Sequence, residues 1–92
     1  LERILGQLRD NIRRKQYVIT LHAEEEMVED SLTIFDIESV VLTGEIVERQ
    51  RDRVTAQRKY RIAGQTVDGE AAEILAKLSP TGKVVLIAVY AL

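Results

Sequence analysis

The spacing of apolar residues changes at Gly44, and that switch divides the chain into a helical half and a strand half. Before it, Leu1, Ile4, Leu5, Leu8 and Ile12 recur at helical spacing and predict an amphipathic helix over residues 1–15. Tyr17-Val18-Ile19 reads as a short extended piece, and Thr20 is placed to N-cap a second helix over 21–30. Thr33 and Asp36 stand in capping-box spacing, with Leu32 and Ile37 as a hydrophobic staple, so a third helix starts there. Its apolar face is Ile34, Ile37, Val40 and Val41, and Gly44 stands where a left-handed C-terminal residue is expected. From Glu45 the period is two, which predicts strands at about 45–52, 57–64, 72–79 and 83–91. Asp68-Gly69 and Ser79-Pro80-Thr81-Gly82 supply turns, and the apolar run Val84–Val89 suits a central strand covered on both faces. Short links favour an antiparallel meander. The expected fold class is therefore α+β, with N-terminal helices packed on a curved four-stranded antiparallel sheet.

At 92 residues the chain forms one domain, 1–92, with room for a single modest core. There is no cysteine, which excludes a disulfide framework and a zinc-thiolate site. No apolar run reaches the roughly 20 residues of a membrane span, and no signal-peptide pattern opens the sequence. A cytoplasmic location is the default expectation, with no membrane partner. Residue 1 is Leu rather than Met, which leaves the native start open.

The net charge of −2 conceals opposed blocks. Residues 1–15 carry five basic and two acidic side chains, whereas residues 22–48 carry nine acidic and no basic ones. Residues 49–61 return six basic against one acidic. Such blocks either screen each other across the fold or form two separate interaction surfaces.

Two groups of residues can carry chemistry. His22, the only histidine, sits where the second helix begins, and an imidazole exchanges a proton near neutral pH without special tuning. It can equally be a helix-start residue that hydrogen-bonds locally. A metal site with Glu25, Glu26 or Glu29 is geometrically allowed, but no second histidine supports it, and neither metal nor cofactor is expected. The second group lies on the first two long strands. Strict alternation puts Val47, Arg49 and Arg51 on one face, and sets Arg58, Tyr60 and Ile62 on one face of the next strand, with Lys59 and Arg61 opposite. Guanidinium forks match phosphate geometry and an adjacent aromatic ring can stack on a base; the same cations can also pair with the acidic helix. Tyr90, grouped with Leu86 and Ala88 by alternation, reads as a core or rim residue that can also line a site. No glycine-rich phosphate loop or Ser-His-Asp order is present.

The order of Ile19-Thr20-Leu21-His22-Ala23 with Met27, a capped helix ending Gly44-Glu45-Ile46, then Lys59-Tyr60, Ile62 and Gly64, and a last strand ending Val89-Tyr90 resembles a family of small bacterial proteins. That family is catalogued as domain of unknown function 4258 and is similar to the RelE-like and BrnT-like ribonuclease toxins. The resemblance covers about residues 17–91. It implies a toxin-type endoribonuclease that cuts RNA without metal, with a cognate antitoxin protein as partner. Under it His22 is the acid/base candidate, Arg49, Arg51 and Arg58 are catalytic phosphate or transition-state contacts, and Lys59, Tyr60, Arg61 and Tyr90 are substrate-binding. The alternative is a non-catalytic module of the same fold that binds a protein or self-associates, for which exposed edge strands would allow a homodimer.

Overall fold

Eight elements follow one another in the computed structural model, which describes residues 2–92. They are α1 (Glu2–Arg13), β1 (Tyr17–Ile19), α2 (Leu21–Glu29), α3 (Ile34–Thr43), β2 (Glu45–Arg51), β3 (Arg58–Gln65), β4 (Ala71–Leu78) and β5 (Val84–Ala91). Leu1, assigned to the first helix from its spacing, lies outside the described residues. The α+β order is as expected, but the sheet has five strands in the order β1-β5-β4-β3-β2 and is mixed, not four-stranded and antiparallel. The addition is β1, which pairs parallel with β5 through Tyr17↔Val84 and Ile19↔Leu86. Three residues are too few to show a period, and their partner lies at the far end of the chain.

All three helices pack on one face of the sheet. Leu8 and Ile12 of α1, Ala23 of α2, and Ile37, Val40 and Val41 of α3 share one buried cluster with Ile62, Ala72, Ile74, Ala76, Val84, Leu86 and Val89 of the strands. The opposite face carries no helix, so β5 is covered on one side only, and Val18 and Tyr90 on that face are 45% and 40% exposed.

Two β-bulges decide which side chains reach which face. In β2 the register moves from Ile46↔Ile62 to Glu48↔Arg61, leaving Val47 as the extra residue. In β5 the pairs Ala76↔Leu86 and Leu75↔Ala88 leave Ile87 extra. An extra residue reverses the in/out alternation of everything beyond it. Arg49 and Arg51 therefore join the face of Ile46, not that of Val47. Tyr90 likewise leaves the face of Leu86 and lies across from Glu73 on the uncovered side.

The caps behave as their residues dictate. Thr20 accepts from the Ala23 amide at 3.1 Å, and Thr33 and Asp36 form the reciprocal capping box. Gly44 departs from expectation, with φ −91 and ψ 179, so it is extended and not left-handed. What that position requires is the absence of a side chain. A Cβ at Gly44 would run into the carbonyls of Val40 and Ala63, and one at Gly64 into the Val40 carbonyl and Gly44 itself. The end of α3 thus lies directly on β3.

The two edges of the sheet are finished differently. Beyond β1, Thr20 donates from its amide to the Leu86 carbonyl at 3.1 Å and from its hydroxyl to the Ile87 carbonyl at 3.0 Å. Farther along, the Val89 amide donates to Glu26 at 3.0 Å and the Ala91 amide to Asp30 at 3.1 Å. The carboxylates of Glu26 in α2 and of Asp30, its C-cap, thereby take the place of a missing strand. At the other edge, no such cover of β2 occurs among the described residues.

A candidate nucleic-acid interface

The turn between β2 and β3 is built on Asp52. Its carboxylate accepts from the Val54 amide at 2.8 Å and the Thr55 amide at 3.0 Å, and its own amide donates to the Gln57 carbonyl at 2.8 Å. The Thr55 and Val54 amides hold the Asp52 carboxyl down to about 2, against a smaller opposing effect of desolvation, and Lys59 at 3.4 Å adds to the lowering. This turn sets the register Arg51↔Arg58 and Arg49↔Tyr60. Residues directly opposite in an antiparallel pair share a face, so the bulge and the turn together bring Arg49, Arg51 and Arg58 to the helix-side face at the turn end of the hairpin.

Arg49, Gln50, Arg51 and Arg58 line a cleft of about 210 Å³. No carboxylate lines it, and among the described residues none of these three arginines enters an ion pair. Three guanidinium groups held together without a counter-charge repel one another, and an anion between them relieves that repulsion. Chemically the arrangement can bind phosphate and stabilise added negative charge on it.

Two other cations of the hairpin, Lys59 and Arg61, are already engaged. Lys59 and Arg61 lie on the uncovered face, as alternation predicts. Arg61 bridges Glu73 at 2.9 Å and Glu48 at 3.1 Å, and the bond and charge of Glu73, followed by those of Glu48, raise its pKa. Tyr60, proposed as a stacking residue, is only 4% exposed and belongs to the core, so its ring has no free face for a base. Tyr90 is exposed, but on β5 and on the uncovered face, apart from the arginines.

His22 lies at the other end of the sheet. It follows the Thr20 cap, its side chain is 68% exposed, and Nε2 is 3.3 Å from the same Glu26 oxygen that accepts the Val89 amide. Because α2 runs along β5, the distance from there to β2 is three strand spacings, about 14 Å. His22 and the arginine cleft are thus not brought together. No group of His, Cys, Asp and Glu able to hold a metal ion occurs among the described residues. Gln50 and Asp52 were missed from sequence. Asp at the start of a turn is a recognisable signal, whereas Gln50 borders the cleft although its side chain, opposite Lys59 on the uncovered face, donates to Glu48 at 2.8 Å.

The fold and the cleft together define a one-sided α+β domain with a cationic hairpin. Over residues 19–91 the chain matches the family described as Domain of unknown function (DUF4258), and it belongs to that family. No curated protein and no solved structure matches it. None of the described helices is long and apolar enough to cross a membrane.

Proposed function

We propose that the domain acts on RNA, with Arg49, Arg51 and Arg58 as its phosphate contacts, in the manner of a toxin-type endoribonuclease. The observation that carries this reading is the carboxylate-free cleft lined by those three unpaired guanidinium groups. Metal-independent RNA cleavage needs a base for the 2′-hydroxyl, cations for the charged phosphorane, and an acid for the leaving oxygen. The arginine cleft supplies the second of these. His22, about three strand spacings away, does not face the phosphate bound there, so RNA binding is the better supported part and cleavage the further step.

The test is a titration of a fluorescent single-stranded oligoribonucleotide, read both for binding and for cleavage products. Arg49→Ala with Arg51→Ala is expected to weaken binding by about a hundredfold or more, since each charge-assisted contact contributes about 1.5–3 kcal/mol. His22→Ala is expected to bind as the native protein does. Equal binding by the arginine variant would refute the assignment, and cleavage abolished by His22→Ala would show that His22 reaches the scissile phosphate after all.

A further inference from the structure

A seven-residue strand left open at a sheet edge is a template for another strand, and β2 is such an edge. The bond from the Asp52 amide to Gln57 fixes the alternation along the hairpin. Gln50 and Lys59 then exchange ladder bonds, and Arg49 and Arg51 keep their own N–H and C=O groups pointing away from β3. Their side chains stand on the helix-side face. Also on that side, Ile46 lines a second groove of about 510 Å³, together with Glu2, Leu5, Gly6, Arg9 and Glu45. The Arg9 guanidinium there is held by the carbonyls of Gly44 at 2.7 Å and Val41 at 3.3 Å.

A second copy of the chain is a poor occupant. Any face-matched antiparallel register that overlaps residues 49–51 with their own copy sets arginine against arginine, and like charges directly opposite are destabilising. A strand of opposite charge meets no such obstacle. We propose that β2 accepts an extended acidic peptide segment of a partner protein as a sixth, antiparallel strand. Two acidic side chains at alternate positions meet Arg51 and Arg49. An apolar side chain farther toward the C-terminus of the peptide enters the groove at Leu5 and Ile46. The inference concerns a protein partner and stands whether or not the cleft also binds RNA.

The probe is a capped synthetic peptide of about eight residues, rich in Thr and Val, with glutamates at two alternate positions and a leucine beyond them, titrated into the full chain by fluorescence anisotropy. The expected result is saturable binding, weakened at least tenfold when the two glutamates are made adjacent, when the amides facing β2 are N-methylated, or by Arg49→Ala with Arg51→Ala. Binding that survives N-methylation would show charge attraction without strand addition and overturn the proposal. So would binding that ignores the arginine variant, or no binding. Sedimentation of the free protein as a dimer that an Arg51→Pro variant converts to monomer would also overturn it, because the edge would already be occupied by a second copy.

Discussion

Glu38 is the one acidic or basic residue that the fold buries among those described, and it joins three elements. Lys15, in the link between α1 and β1, donates to it at 2.5 Å and the Tyr17 hydroxyl of β1 at 2.8 Å. Burial alone would raise its pKa, but the bonds from Lys15 and Tyr17 and the charge of Lys15 outweigh it and the net direction is down. Tyr17 is pushed the other way, to about 12, by burial first and then by its bond and proximity to the Glu38 carboxylate. Removing the hydroxyl in Tyr17→Phe is expected to cost about 1–2 kcal/mol in urea unfolding. The pH dependence has a definite sign. A carboxyl whose folded pKa is depressed contributes stability that is complete above its unfolded value, about 4, and is lost as pH falls through the folded value. With Asp52 held at about 2, unfolding free energy should decline steadily from about pH 5 to about pH 2, and Glu38→Gln should make that decline shallower. A flat profile in the native protein would contradict both assignments. The caps at Thr20 and Thr33 were legible because capping is local. The role of Glu38 was not, since a glutamate inside a helix normally faces water and only Lys15 and Tyr17, far back in the chain, make its burial tolerable.

At the level of elements, periodicity located all three helices and the four long strands to within a residue or two. It assigned faces correctly only as far as the first bulge in a strand. Val47 and Ile87 each reverse the alternation, and neither residue type announces a bulge. This moves Arg49 and Arg51 to the helix-side face and Tyr90 off the core face. Deleting Val47 should therefore regularise the ladder, leaving Glu48↔Arg61 and Arg49↔Tyr60 paired as before and both arginines on the helix-side face. RNA binding by a folded deletion variant is expected to stay close to native, and a fall as large as that of the double arginine variant would contradict the register given to the bulge. The α2 edge yields a second prediction. Glu26→Ala with Asp30→Ala leaves the Val89 and Ala91 amides without acceptors, at about 1 kcal/mol each, and opens the β5 edge. Lower stability with concentration-dependent association should be seen by sedimentation. Gly44→Ala tests the contact of α3 on β3; it is expected to cost more than about 2 kcal/mol, because the obstructing atoms are backbone.

Across the whole molecule, the sequence displays its charge blocks openly, but only the topology shows where they go. The acidic helix α2 lies along one edge of the sheet and the arginine hairpin forms the other. RNA approaching the cleft therefore meets the most acidic helix at the greatest distance the sheet allows. With three phosphate contacts the affinity should fall with salt at a log–log slope of about −2, and with one contact by well under half of that. Whether the β2–β3 hairpin is the RNA-binding surface is decided by amide chemical-shift mapping in NMR during titration with a short single-stranded RNA. Perturbations are predicted to concentrate on residues 47–60, with the His22 end of the sheet unchanged. Perturbations centred on α2 and β5, or none at saturating RNA, would contradict it.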